Sequence, residues 1–244
     1  MRKKQKIGFV LLLLIIMLIS VEVSARDFIM SELYYSNQKE LKIDAGGVNI
    51  IFEENSNKIF ISEGLLSKIT DDKIHIRSPQ NYGFFDFISD EEYKIIIGTD
   101  IFFEDVDINV GGAKITGLIK SNNINIDGGG ANIAAEMKAN KLYINGGGVN
   151  IDSSVEAEYI SVSGAAMKME LSVKGAENLK IDGAAMKAQI KYLDFWENER
   201  ELSVNGVAGM LKVLLPNNNS YDQNNKLDIE TDGIIKVEVE YYDL

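Results

Sequence analysis

The chain contains no cysteine and only one histidine. The first absence excludes disulfides, thiolate metal sites, cysteine nucleophiles and lipidation at a cysteine. The second leaves His75 without the partner that a histidine-based metal site or triad needs. Set between Ile74 and Ile76, it is expected to point outward from its strand. Positive charge is scarce as well, with 25 Lys and Arg against 37 Asp and Glu and a net charge of −12. Such a surface repels nucleic acid and anionic lipid, whose phosphates call for Lys and Arg.

Long apolar runs are missing too, with one exception at the start. Arg2, Lys3, Lys4 and Lys6 precede an unbroken apolar stretch from Ile7 to Ile19, and Val23-Ser24-Ala25 follows. Basic, apolar and small-residue regions in that order read as a secretory signal over residues 1–25. The apolar run falls short of the ~20 residues of a spanning helix. An uncleaved N-terminal anchor is the competing reading, and the membrane enters only through it. With the signal gone, four basic residues and one acidic residue leave and the net charge moves from −12 to −15. The mature chain is then exported to the periplasm, cell surface or medium.

What the sequence has in abundance is repetition. Ile124-Asn125-Ile126-Asp127-Gly128-Gly129-Gly130-Ala131 is followed by blocks of the same form starting at Leu142, Ile160 and Leu179. A further block starts at Val106, with weaker copies at Leu41 and Leu202. The spacing is about eighteen residues, too short for a helical repeat unit. In each unit an apolar–polar–apolar alternation marks a half-buried strand, a Gly/Ala triplet makes a tight corner, and a second alternating run follows. The expected fold is all-β: a single-stranded parallel β-helix, or β-solenoid, with rungs of about 18 residues.

Stacked rungs place equivalent residues in columns. Ile43, Ile108, Ile126, Ile144, Val162, Ile181 and Val204 should form the core. Asp44, Asn109, Asp127, Asn145, Ser163, Asp182 and Asn205 stand just before each corner, where such side chains commonly bond their own turn backbone. Asn49, Lys114, Asn132, Asn150, Lys168 and Lys187 face solvent on the next strand. The expected organisation is irregular N-terminal rungs and cap over 26–105, regular rungs over 106–215 and capping strands over 216–244, all one domain after the signal.

No motif carries chemistry. A calcium ladder needs six to eight converging oxygens, and the Asp/Asn column is better explained by its turns. A solenoid glycosidase or lyase needs paired carboxylates, yet Asp44, Asp127 and Asp182 are separated by Asn109, Asn145 and Ser163. The Gly triplets lead into strands and not into the helix N-terminus that cradles phosphate. No catalytic residue, metal ligand or cofactor is assigned. The repeat breaks in two aromatic places: Tyr82 to Phe87, with Phe84 and Phe85, and Tyr192 to Trp196, with Phe195 and the sole tryptophan. Aromatics on a regular scaffold are frequent binding anchors, so Tyr82, Phe84, Phe85, Tyr192, Phe195 and Trp196 are the candidate contacts. The alternative is that each insertion buries itself over an end or edge.

Ile95-Ile96-Ile97, Phe102, the block from Val106 to Gly112, the evenly spaced Gly-rich rungs and the ending Gly206 to Pro216 together resemble a bacterial family. It is the family of putative adhesins with a parallel β-helix head (head GIN-like), related to the β-solenoid of cell-envelope stress proteins. The likeness covers roughly residues 41–244. It implies the fold, a right-handed winding in line with the bias of parallel crossovers, and adhesion without common catalytic residues. The family's Ser-Gly-x-Gly-Asp corner is replaced here by Gly-Gly-Gly or Gly-Ala-Ala. The expected function is a non-enzymatic, adhesin-like binding or structural protein of the envelope, its solenoid faces meeting protein, glycan or another copy. The alternatives are a carbohydrate-active solenoid enzyme and a membrane-tethered envelope-stress sensor.

Overall fold

Alternation of apolar and polar residues dictates strands, and strands are what form. A computed structural model describes residues 29–79, 93–220 and 226–244. Among them are twelve β-strands and no helix. They are β1 Met30–Leu33, β2 Glu40–Glu53, β3 Ile59–Ser62, β4 Leu66–Ile69, β5 Lys73–Arg77, β6 Tyr93–Gly98, β7 Phe103–Lys138, β8 Lys141–Glu156, β9 Tyr159–Lys174, β10 Asn178–Tyr192, β11 Arg200–Pro216 and β12 Leu227–Tyr242. All belong to one sheet, whose main path runs β1-β3-β6-β2-β7-β8-β9-β10-β11-β12. From β2 to β12 every pairing on that path is parallel.

The repeat blocks are the units of that pairing. Ile126 lies opposite Ile144, Ile144 opposite Val162, Val162 opposite Ile181 and Ile181 opposite Val204. Ile43 opposes Ile108, across 65 residues, because β3 to β6 intervene in sequence and lie on the other side of β2. β7 holds two copies of the repeat and sets them side by side. Within it Asn123 Nδ2 donates to Asp105 Oδ1 at 2.7 Å, and Ser121 Oγ donates to the Glu104 carbonyl at 2.9 Å. All seven residues of the apolar column are fully buried. At ~0.8 kcal/mol per buried CH₂, each isoleucine contributes a few kcal/mol.

The Gly/Ala triplet switches the phase of the alternation. In β8 Leu142 and Ile144 are inside before Gly146-Gly147-Gly148, and Val149, Ile151, Ser153 and Val155 are inside after it. Chains approach closely there: a Cβ on Gly129 would lie 2.6 Å from the Gly111 carbonyl oxygen, and one on Gly147 would lie 2.8 Å from that of Gly129. Met167 and Met186 stand inside at the next corners, their flexible thioethers filling space beneath Gly183 and Gly206.

The outward Asp/Asn column does something other than what its sequence context suggests. Its side chains bond one another across strands and not their own turns. Asn109 Nδ2 donates to Asp44 Oδ1 at 3.1 Å, Asn145 Nδ2 to Asp127 Oδ1 at 2.8 Å, and Asn205 Nδ2 to Asp182 Oδ1 at 2.8 Å. An amide beside a carboxylate supplies a donor and avoids stacking like charges in adjacent strands. His75 faces outward as expected, half-buried, with Nε2 at 2.6 Å from Asp44 Oδ2.

Candidate functional site

The strands are joined by links whose lengths set the spacing of the repeat. Residues 139–140 and 157–158 are two-residue links, 175–177 has three residues and 193–199 has seven. The extra residue before β10 is accommodated by Gly175 in the left-handed region, at φ 71°. This explains why one spacing in the sequence is nineteen. The seven-residue link, which holds Phe195 and Trp196, folds back onto the three-residue link at Gly175.

Asp194 organises this fold-back. Its Oδ2 accepts from the Gly175 amide at 3.2 Å and from Arg200 at 2.7 Å, and its Oδ1 accepts from Arg200 at 3.1 Å. This is the planar, two-pronged match of guanidinium to carboxylate. The Arg200 guanidinium also lies 4.3 Å from the Trp196 ring centroid. Trp196 Nε1 donates to the Lys226 carbonyl at 2.5 Å, and Asn219 Nδ2 donates to the Trp196 carbonyl at 2.9 Å. The link is therefore fixed on both sides.

The three described candidate aromatics divide. Tyr192 is fully buried and Trp196 nearly so, their rings 5.1 Å apart, whereas Phe195 is 51% exposed. Tyr192 and Trp196 thus fill the interior under the link, and only Phe195 is free to meet a ligand through its side chain. Burial pushes the Tyr192 hydroxyl well above the usual tyrosine range, against a lowering influence from Arg200. That hydroxyl has no hydrogen-bond partner, while the Tyr192 carbonyl accepts from Tyr242 Oη. Tyr82, Phe84 and Phe85 lie outside the described residues.

Beside the link is a cleft of about 480 Å³, formed by the four successive links. Glu156, Glu158, Glu177, Glu197 and Glu199 line it, with Lys174, Arg200 and Trp196. Lys174 is tied to Glu156 at 3.1 Å and Arg200 to Asp194, so the cleft is acidic on balance. Its carboxylates can accept hydrogen bonds from hydroxyl or ammonium groups. Among the described residues no group of three or more His, Asp or Glu is placed to hold a metal ion. The sequence pointed to Trp196 but gave no sign of Asp194, Arg200 or the glutamates. The lengthening of the repeat beyond Leu179 was the available signal.

No family model matches the sequence, and no curated protein matches it. Solved structures similar to it include a putative adhesin from Bacteroides fragilis NCTC 9343, at 13% identity over 88% of this chain and 98% of that one, with a TM-score of 0.47. A putative adhesin from Parabacteroides merdae ATCC 43184 shows 15% identity over 89% and 97%, with a TM-score of 0.46. A putative lipid binding protein from Parabacteroides distasonis ATCC 8503 shows 14% identity over 90% and 98%, with a TM-score of 0.39. Likeness at this level carries no argument about function.

Proposed function

We propose that the chain is an exported, non-enzymatic, adhesin-like binding protein of the bacterial cell envelope, built as a right-handed parallel β-solenoid and using the cleft beside Trp196 to hold its partner. The support for the solenoid is a matter of lengths. β8 and β9 have sixteen residues each, pair in parallel and in register, and are joined by two residues. A straight strand of that length would span about 50 Å, and two residues reach about 7 Å. Each strand must therefore coil so that its end arrives beside its start.

The observation that carries the function is the contrast between the locked link and what it offers. Asp194, Arg200 and Trp196 hold the segment still, and half-exposed Phe195 and the glutamate-lined cleft are what it offers to solvent. Preorganised presentation of this kind lowers the entropy lost on binding. The partner supplies hydrogen-bond donors, either glycan hydroxyls or the ammonium groups of a protein.

The test is capture from envelope extract, and on a glycan array, by the wild-type chain, Phe195→Ser and Glu197→Gln/Glu199→Gln. The expected result is one retained partner, with retention falling at least tenfold in both variants. Equal capture by all three overturns the cleft reading. Product release from a polysaccharide panel, abolished by Asp127→Ala or Asp182→Ala, overturns the non-enzymatic one.

A further inference from the structure

Among the described residues, the C-terminal strand β12 is the last of the sheet. It pairs with β11 along its whole length, and among the described residues no strand pairs with its other edge. Its sixteen residues are one edge strand, long for a feature that soluble proteins usually keep short or blocked. Ile229, Val237 and Val239 continue the inward rows of β11. Their counterparts Leu202, Leu211 and Val213 are buried, but Val237 is 36% exposed and Ile229 and Val239 are only partly buried. A core of this form is one layer short.

What the missing layer must be follows from charge. The outward positions of β12 carry Asp228, Glu230, Asp232, Glu238 and Glu240 against Lys236 alone. A second copy meeting this edge in parallel register sets each acid on itself. An antiparallel pairing centred near residue 235 sets Glu238 beside Asp232 and Glu240 beside Glu230. Like charges directly opposite are destabilising. Among the described residues the other end of the sheet offers no matching edge, because β1 and β4 present only four antiparallel residues each.

We infer that β12 receives an extended, basic strand from a partner protein, added in β-augmentation, with apolar side chains closing the core and Lys or Arg against the acidic column. Main-chain hydrogen bonds supply the affinity, and the alternating side chains supply the selection. This surface shares no lining residue with the cleft.

The experiment uses the whole chain and a sixteen-residue synthetic peptide alternating valine and lysine, with glutamate replacing lysine in the control. The lysine peptide should bind and slow amide exchange across residues 227–242, and the glutamate peptide should bind at least tenfold more weakly. Val237→Lys/Val239→Lys should lower affinity tenfold or more. Because inward charges can harm folding, Glu230→Lys/Glu238→Lys, on the outward face, provides a second variant with the same expected loss and an unchanged circular dichroism spectrum. Phe195→Ser should leave peptide binding intact, which separates this surface from the cleft. Three outcomes overturn the inference: protection centred elsewhere, equal affinity for the glutamate peptide, or a dimer in sedimentation that Val237→Lys dissociates.

Discussion

The two ends of the sheet are built on opposite plans. At the N-terminal end the outer edge of β2 is covered by β5 along residues 40–44 and by β6 along 48–53, and antiparallel β4, β3 and β1 lie outside these. Ile59, Ile74, Ile76 and Ile95 are fully buried there. At the C-terminal end β12 carries the same inward pattern, yet beyond buried Leu227 its apolar residues stand partly in solvent. Strand propensity and hydrophobic alternation are alike at the two ends. Among the described residues, the difference is whether further strands lie beyond the last parallel strand, so burial here is a property of neighbours and not of residue type.

The largest effect expected from this contrast comes from matched truncations. Ile76→Ala at the covered end should cost ~2–5 kcal/mol, the range for emptying a closed core site. Val237→Ala at the open end removes side-chain surface that is already part solvated and should cost under ~1 kcal/mol. Urea unfolding of the two variants measures the gap. Equal losses would mean that β12 is as well enclosed as β5, and the contrast between the ends would fall.

How much of this was legible in the sequence depends on whether the information was local. The buried column from Ile43 to Val204 and the corners were readable because alternation and glycine act within a few residues. The interleaving at the N-terminal end was not, since the pairing of Ile43 with Ile108 requires knowing that β3 to β6 pack outside β2. The Asp/Asn column was located correctly but given the wrong bonds, because its partners lie 18 to 65 residues away in sequence and are adjacent only across strands. At the candidate site, Trp196 was conspicuous as the sole tryptophan. The ion pair that holds it was invisible, because nothing in the order of residues says that Asp194 and Arg200 turn toward each other.

Breaking that ion pair is the next largest change, and it tests whether a site one strand in from β12 behaves like the covered end. Arg200 is 9% exposed and Asp194 21%, so Arg200→Ala leaves a carboxylate that water reaches only partly. A loss of ~2 kcal/mol is expected, in the range for hydrogen bonds to charged groups. Tryptophan emission should move to longer wavelength as Trp196 loses its cover. An unshifted emission spectrum with unchanged stability would show that the link holds without its ion pair.

Tyr192 gives a smaller effect of opposite sign. Its hydroxyl is buried without a partner, so Tyr192→Phe should be neutral or stabilising by up to ~1 kcal/mol at neutral pH, since an unsatisfied polar group leaves the core. The fold favours the neutral phenol, so the folded pKa lies above the unfolded value of about 10. The stability this confers is intact below pH ~10 and is lost as pH rises beyond it. Melting temperature followed from pH 9 to 12 should therefore fall more steeply in wild type than in Tyr192→Phe. Parallel curves would place the alkaline sensitivity in other tyrosines.

The smallest effect separates the middle of the outward column from its open end. Asn145 donates to Asp127 and lies between it and Ser163, so Asn145→Asp sets two carboxylates side by side in paired strands. The expected cost is ~0.2–1 kcal/mol, the size of a cross-strand pair, and it should shrink in high salt because the column is solvated. Asp232 lies opposite Asn205 in β12, the last strand of the column. Asp232→Asn removes a charge where neighbours stand on one side only, and it should change stability by a few tenths of a kcal/mol at most. A salt-independent loss in Asn145→Asp would assign the column's contribution to hydrogen-bond geometry and not to charge, and the acidic end strand would then lose its electrostatic selection of a basic partner as well.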